Sequence, residues 1–275
     1  MYYVRCSLKS KREEAKDIFS CTFSLNDIKF LQRLMPGRFV MVWLPGIDEF
    51  PLSPSDYNVS NSTLRLTFKV RGLGTRSLSS LSVGSSIFIR GPYGNGFRVS
   101  KHILQGGSKL VLVAGGGIGL APLIPLIKDL LQQDVKLHVV CGFRSSNEVF
   151  FINEITNLLG DSHTVSTDDG SLGVKGTVVD VVQNLLNKRK VSYVYACGPE
   201  MMLYKLHRVL LDKGVPHQMS VERYVKCALG ICGACVIDGL RLCKEGPVFN
   251  DVHLKGLKEF GRYKRSASGV REPLL

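Results

Sequence analysis

The sequence predicts a β-barrel followed by a parallel α/β domain and a cysteine-rich C-terminal segment. In the first hundred residues, short strand-like runs alternate with clusters of Gly, Pro, Ser and Asn, which is typical of an antiparallel barrel or sandwich. From residue 109, strand-like runs alternate with longer helix-like runs, as in βαβ units. Four of the eight cysteines then lie between positions 227 and 243. A chain of 275 residues is long enough for two such domains and an appendage.

The barrel is predicted over residues 1–104. Its strand-like runs are 2–8, 15–23, 38–44, 63–70 and 86–90. Two loops, 50–53 and 69–75, bring hydroxyl groups, a glycine-rich bend and cations together and are candidate anion sites. A third loop, 90–97, is rich in Gly and Pro and follows the last strand-like run. Each of these loops could equally be an ordinary surface turn or hairpin.

The α/β domain is predicted over residues 105–222, with its boundary in the stretch 100–108. Its strand and helix pairs are 110–114 with 120–132, 137–141 with 151–159, 163–166 with 176–186, and 191–196 with 199–213. In a parallel sheet, ligands bind beyond the carboxyl ends of the strands. The strand ends 142–145, 168–170 and 196–199 are therefore expected to line one nucleotide crevice.

A glycine loop joins the first strand of this domain to its first helix. Its glycines are Gly115, Gly116, Gly117 and Gly119. Free backbone amides and the dipole of the following helix suit a diphosphate at such a position. The loop lacks the spaced G-x-G-x-x-G pattern of dehydrogenases, so a merely tight strand-to-helix turn is the alternative interpretation.

The cysteine-rich segment is predicted over residues 223–250. Its spacing, Cys-x4-Cys-x2-Cys followed by a fourth cysteine, is that which opens a plant-type [2Fe–2S] site. The predicted ligands are Cys227, Cys232, Cys235 and Cys243. Gly230, Gly233 and Ala234 let the backbone curl so that its amides can reach the sulfurs. A structural zinc site is the alternative, although zinc usually prefers paired Cys-x2-Cys knuckles.

With 36 basic and 23 acidic residues, the chain could attract nucleic acid, an anionic cofactor, an acidic partner or a membrane surface. The charge is concentrated only in residues 251–275, which are interpreted as a basic tail or docking strap. A zinc-containing nucleic-acid-binding protein is a further alternative. It is disfavoured because only Phe260 and Tyr263 could stack on bases there.

The uncharged run 110–127 is long enough to suggest a membrane span. Glycines interrupt the run after five apolar residues, and Pro122 and Pro125 follow them. A strand, a turn and the start of a helix therefore explain the run better than a membrane span does. The N-terminus lacks the apolar core of a signal peptide. No membrane span and a cytoplasmic location are expected.

The three pieces in this order resemble the ferredoxin reductase-like flavoproteins, and among them the electron-transfer subunits of two-component, class 1B dihydroorotate dehydrogenases. The resemblance covers roughly residues 1–250 and is most specific at the four cysteines and the Gly-Pro-Val-Phe sequence that follows them. It implies FAD, a [2Fe–2S] cluster and NAD as cofactors. The family usually has Arg where this chain has Phe50, so one phosphate contact is missing; Lys69, Arg71 or Arg76 could substitute. The gap from Cys235 to Cys243 is also short.

The resemblance also implies site residues, of which none is a general acid or base. Those for FAD are Phe50, Pro51, Leu52, Ser53, Thr67, Phe68, Lys69, Gly74 and Thr75. Those for NAD are Gly115, Gly116, Gly117, Gly119, Cys197, Gly198 and Pro199. Cys197 could equally be a small buried hydrophobe.

The implied function is an electron relay in pyrimidine biosynthesis. A partner subunit that holds FMN would oxidise dihydroorotate, and its electrons would pass through the cluster and FAD to NAD+, in a heterotetramer of two copies of each chain. The same motifs fit a flavin and iron–sulfur subunit of a hydrogenase or of a ferredoxin:NADP reductase complex. Arg144 and Arg208 could favour a 2′-phosphate, so the acceptor, NAD, NADP or another, stays open.

Overall fold

A computed structural model describes residues 2–99 and 110–274, so the predicted boundary at 100–108 lies outside the described residues. The first sheet contains β1 (Val4–Ala15), β2 (Ile18–Ser24), β3 (Phe39–Leu44), β4 (Asp48–Leu52), β5 (Pro54–Asn58), β6 (Thr63–Lys69) and β7 (Ser86–Tyr93). These strands pair antiparallel in the order β4-β3-β7-β1-β2-β6-β5. Leu64, Leu66 and Phe68 of β6 are buried at every second position, as one face of a strand requires. Two short helices, α1 (Ile28–Gln32) and α2 (Leu73–Ser80), connect the strands.

Strands β4 and β5 were not predicted from the sequence. Each contains a proline, Pro51 and Pro54, which removes a backbone donor and makes the stretch read as a turn. The two strands end the hydrogen-bonded order of the sheet, which is where proline is tolerated. A bulge between Pro54 and Asp56 also breaks the alternation of β5.

The second sheet is the predicted parallel one, and the predicted fold class is confirmed. Its strands are β8 (Leu110–Gly116), β9 (Lys136–Phe143), β10 (His163–Thr167), β11 (Val174–Lys175), β12 (Tyr193–Cys197), β13 (His217–Ser220) and β16 (Val248–Asn250). They lie in the order β11-β10-β9-β8-β12-β13-β16, with only β16 antiparallel to its neighbour. The chain order reverses between β8 and β12, which makes the crevice between their carboxyl ends the topological switch point.

Helices cover both faces of this sheet. They are α3 (Leu123–Leu131), α4 (Ile152–Leu159), α5 (Val178–Lys188) and α6 (Glu200–Asp212). Val111 and Val113 of β8 pack with α3 and α4, whereas Leu112 and Ala114 pack with α5 and α6. Strands buried on both faces read as continuous apolar runs, which is why the run 110–114 was easy to recognise.

The C-terminal part folds back onto the α/β domain. It contains the hairpin β14 (Val236–Ile237) and β15 (Leu240–Arg241), the helix α7 (Asp251–Gly256), and the hairpin β17 (Tyr263–Arg265) and β18 (Arg271–Pro273). Phe260 is buried in the core shared with α6, and Glu259 pairs with Arg265 at 3.2 Å. The segment interpreted as a basic tail therefore packs against the protein. The domain boundaries themselves stay predictions.

The uncharged run 110–127 forms β8, a 3₁₀ turn (Gly117–Leu120) and the start of α3. Over residues 2–99 and 110–274, no helix is long and apolar enough to cross a membrane.

Candidate functional site

The cysteine loop aims backbone N–H groups at its sulfurs. Ala228, Gly230 and Gly233 have positive φ angles of 57°, 76° and 71°, which curl the chain tightly. The amides of Leu229 and Gly230 donate to the Sγ atoms of Cys227 and Cys243 at 3.3 and 3.2 Å, respectively. Such donors stabilise thiolates and the sulfur ligands of an iron–sulfur cluster. The loop therefore fits the group that its spacing predicts.

The four thiols lie in two pairs. Cys227 is in hydrogen-bond contact with the side chain of Cys232, and Cys243 with that of Cys235. Within the described residues, no three His, Cys, Asp or Glu side chains are grouped closely enough to hold one ion. A single zinc needs four ligands around one point, whereas a cluster of two irons needs two ligands at each iron. The two thiol pairs fit a cluster of two irons, each of which takes two protein sulfur ligands.

The local environment separates the two pairs electrostatically. Burial alone would raise the pKa of Cys227, but backbone N–H groups of residues 229, 231 and 232 outweigh it and lower that pKa to about 6. Burial, then contact with Cys235, raises the pKa of Cys243 to about 12. The thiol of Cys227 therefore ionises at a lower pH than that of Cys243, and a bound cation would favour the thiolate at Cys243.

The flavin motif of the barrel meets the start of helix α2. A Cβ placed on Gly74 would lie 2.6 Å from the ring of Phe50, so this contact requires glycine. The structure thus brings together Phe50 and Gly74, two residues that the resemblance assigns to FAD. The Phe50 ring packs against Gly74 in the first turn of α2. Pro51 and Leu52 continue β4, and Ser53 follows it.

The other residues implied for FAD are engaged within the protein. Thr75 Oγ1 accepts hydrogen bonds from the N–H groups of Arg71 and Gly72, which fixes the start of α2. Thr67 is buried, and its Oγ1 lies 2.7 Å from Ser55 Oγ. Phe68 is buried in the barrel core. These side chains are therefore held by contacts within the protein.

Ion pairs close the barrel onto the α/β domain beside this motif. Lys69 Nζ lies 3.0 Å from Glu148 Oε1, so the implied flavin cation is already paired. Arg65 makes a two-pronged contact with Glu154 at 2.9 and 3.0 Å. Because Arg65 also donates to Ser55, these contacts connect the buried hydroxyls of the barrel to helix α4.

The glycine loop packs against the Cys-Gly-Pro turn at the switch point. A Cβ on Gly119 would lie 2.5 Å from the backbone N and Cα of Gly198, and one on Gly116 would lie 3.0 Å from Pro199. Gly115 is likewise closed off by Leu120. Gly117 differs, because it has a φ of 51° and no atom within 4 Å of its hypothetical Cβ. The predicted glycines thus bring two loops together, and Gly117 is where a ligand can approach.

Cys197 is buried at the end of β12, within this crevice. Burial, and then the negative charge of Glu222, raises the pKa of its thiol to about 12, while Ser220 hydrogen-bonds to it. The thiol is therefore neutral at physiological pH. Ser220 and Glu222 were missed from the sequence, because they precede the cysteine loop and carry no motif of their own.

The arginines considered for a 2′-phosphate lie in different places. Arg208 contacts Tyr204, as does Arg262 of the C-terminal segment. Arg144 follows β9, and its carbonyl accepts from the N–H of Asp169 at 3.3 Å. The loops after β9 and β10 therefore meet at the carboxyl end of the sheet, as expected, with Arg144 among them.

The loop 90–97 joins the barrel to the cysteine segment. Asn95 N donates to the carbonyl of Gly246 at 2.6 Å, and its side chain donates to the carbonyls of Lys244 and Glu245. Arg90 donates to the carbonyl of Cys227 at 2.8 Å. Sequence reasoning missed Arg90, because its partners are far away in the chain. Hydrogen bonds therefore join the barrel directly to the cysteine segment.

A barrel, a parallel sheet with a glycine loop at its switch point and an appended cysteine loop define a ferredoxin reductase-like oxidoreductase. Residues 112–207 match the oxidoreductase NAD-binding domain, and residues 222–255 match the iron–sulfur cluster binding domain of dihydroorotate dehydrogenase B. The solved structure of an NADH-dependent reduced ferredoxin-NADP oxidoreductase is 28% identical, with a TM-score of 0.79, over 90% of this chain and 88% of that chain. Phthalate dioxygenase reductase, at 19% identity and a TM-score of 0.61 over 75% of this chain and 64% of that one, shares the fold.

Two curated relatives narrow this class. The probable dihydroorotate dehydrogenase B (NAD(+)) electron transfer subunit of Methanocaldococcus jannaschii is 38% identical over 86% of this chain and 87% of its own. That of Pyrococcus furiosus is 36% identical over 98% and 99%. The chain belongs to the family of dihydroorotate dehydrogenase B electron transfer subunits. The resemblance seen in the sequence is confirmed.

Proposed function

We propose that this chain is the electron-transfer subunit of a dihydroorotate dehydrogenase complex in pyrimidine biosynthesis. It would take electrons from an FMN-bearing catalytic subunit and deliver them to NAD+, in a cytoplasmic heterotetramer of two copies of each chain. The observation that carries the proposal is the continuous hydrogen-bonded contact from the cysteine loop through Arg90 and Asn95 to the barrel. That contact supports electron transfer between a cluster held by the cysteine loop and a flavin held beside Phe50.

The residues of the chain would hold three groups. Cys227, Cys232, Cys235 and Cys243 would bind the [2Fe–2S] cluster, with backbone amides donating to their sulfurs. The segment from Phe50 to Ser53 and the first turn of α2 would hold FAD. The open face of Gly117 and the Cys-Gly-Pro turn would receive NAD. When bound, the flavin and the cluster together allow one-electron transfer to be converted into two-electron transfer.

The protein's own part is distance, orientation and exclusion of water. Arg65, Lys69 and their carboxylate partners hold the α/β domain against the barrel. Cys197 is neutral and small, which leaves space at the end of β12 without adding a charge. Phe50 supplies an apolar surface where the family usually places a cation, so phosphate binding rests on the amides of α2.

The test is to purify the chain together with a dihydroorotate dehydrogenase catalytic chain from the same cells. Visible absorbance should show flavin and iron–sulfur bands, and dihydroorotate should reduce NAD+ only when both chains are present. Parallel stopped-flow reduction with NADH and NADPH identifies the nucleotide. A colourless preparation that contains zinc would refute the proposal.

A ferredoxin:NADP reductase role is the second candidate. It is favoured by the 28% identity and close superposition with the reduced ferredoxin-NADP oxidoreductase. Rapid reduction by NADPH, together with failure to bind any dihydroorotate dehydrogenase chain, would support it over the first.

A further inference from the structure

Arg90 occupies an unusual position between the two proposed redox sites. It is 3% exposed and lies on β7, next to β3 and one strand away from β4. Its Nε and Nη2 atoms donate to the two carboxylate oxygens of Glu49 at 2.6 and 2.7 Å. Its Nη1 donates to the carbonyl of Cys227 at 2.8 Å and to the hydroxyl of Tyr93 at 3.0 Å. One guanidinium therefore contacts both the flavin strand and the first cysteine of the loop.

The geometry of this contact is specific to arginine. The planar guanidinium of Arg90 bonds to both carboxylate oxygens of Glu49 along one edge. Its remaining N–H groups can still donate to the Cys227 carbonyl. Glu49 immediately precedes Phe50, the first residue of the flavin segment. The hydrogen bonds of Arg90 and Glu49 thus form a direct bridge from that segment to the cluster loop.

A second contact holds the opposite end of the loop. Asn95 donates to the carbonyls of Lys244 and Glu245, just after Cys243. Arg90, on β7, and Asn95, just after that strand, hold the first and last cysteines of the segment. Asn95 is uncharged, however, whereas Arg90 and Glu49 bring two opposite charges, so only the Arg90 bridge can act through charge.

We propose that Arg90 is a positioning residue that fixes Cys227 against the flavin strand, and that the Arg90–Glu49 pair sets the electrostatic potential at the cluster. The inference rests on the proposed function, since it requires the cluster to be held by the four cysteines. Reduction adds one negative charge to the cluster. A nearby cation therefore favours the reduced state and a nearby anion disfavours it.

Two substitutions separate this role from simple loop support. Arg90→Met removes the cation and leaves the Glu49 carboxylate, so the midpoint potential of the cluster should fall. Glu49→Gln keeps most of the side-chain shape and leaves the Arg90 cation uncompensated, so the midpoint potential should rise. A loosened loop would move the potential in the same direction in both variants. The double variant should return close to the wild-type potential.

The measurement is a redox titration of the holo two-chain complex, followed by the electron paramagnetic resonance signal of the reduced cluster. Arg65→Met is the matched control, because Arg65 also makes a two-pronged contact with a glutamate, whereas its hydrogen bonds within residues 2–99 and 110–274 go to Ser55 and Glu154 and none goes to the cysteine loop. It should leave the cluster potential unchanged. If Arg90→Met fails to fold, Glu49→Gln alone decides, since only a rise fits the proposal.

The outcomes distinguish this inference from the proposed function. Shifts of opposite sign support the role of the Arg90–Glu49 pair. A wild-type cluster signal with shifts of equal sign, or with none, overturns that role and leaves the proposed function intact. Absence of any cluster signal in the wild-type complex, when flavin is bound, overturns both.

Discussion

Replacement of Gly119 by alanine tests the contact between the glycine loop and the Cys-Gly-Pro turn. The new Cβ would lie 2.5 Å from the backbone N and Cα of Gly198. Non-bonded carbon atoms prefer separations of about 3.5–4.0 Å, so the two loops must part by about 1 Å. No flexible side chain can absorb the shift, because the nearest atoms belong to the backbone. Overpacking of this kind costs about 1–3 kcal/mol.

The expected result is a loss of both stability and nucleotide use. In a domain of this size each kcal/mol corresponds to roughly 2–4 °C, so the Tm should fall by roughly 2–12 °C. Reduction of the bound flavin by NADH in stopped flow should need more NADH for half-maximal rate, because the open face at Gly117 moves with the loop. Differential scanning calorimetry supplies the stability change.

The matched control is Gly256→Ala, which has no atom within 4 Å of its hypothetical Cβ. It should leave both quantities essentially unchanged. If Gly119→Ala behaves like the control in both assays, the two loops are not in contact, and the account of the switch point is wrong.

Three further predictions concern the rest of the chain. Cys232→Ala should lose bound iron in a colorimetric assay, whereas Cys21→Ala, in the barrel core, should keep it; equal iron in both would remove Cys232 from the ligand set. Burial, then the charge of its neighbouring histidine, lowers the pKa of His207 from 6.5 to about 4, so the unfolded state binds more protons in that window. As the pH is lowered from 6.5 to 4, the unfolding free energy measured in urea titrations should therefore fall, by up to about 3 kcal/mol more in the wild type than in His207→Gln. Parallel pH curves for the two proteins would contradict this. Phe260→Ala should cost about 3–5 kcal/mol in the same titrations, whereas the exposed Val270→Ala should cost almost nothing; equal effects would mean that the C-terminal segment is not packed.

The sequence was most informative where chemistry imposes a local pattern. The spacing of the four cysteines predicted the loop that the structure folds, because both thiolate pairs come from one short stretch. The strands of the α/β domain that are covered on both faces were equally easy to predict, because burial on both faces gives continuous apolar runs without polar residues. The assignment of individual residues to FAD and NAD stays a prediction.

Contacts between distant segments could not be predicted in this way. Arg90 looked like one more loop residue, because Glu49 and the Cys227 carbonyl approach it only after the barrel and the cluster loop have folded. Edge strands β4 and β5 were not predicted, because their prolines make these stretches look like turns. The basic C-terminal segment was interpreted as a tail or docking strap, although Glu259 and Phe260 fix it to the α/β domain.

The most direct test of the account is anaerobic addition of dihydroorotate to the purified two-chain complex, followed by electron paramagnetic resonance and by absorbance of NADH. The account requires the reduced-cluster signal to appear without NAD+, and NADH to form when NAD+ is then added. A cluster that stays oxidised with dihydroorotate, but is reduced by NADPH or reduced ferredoxin, would contradict it.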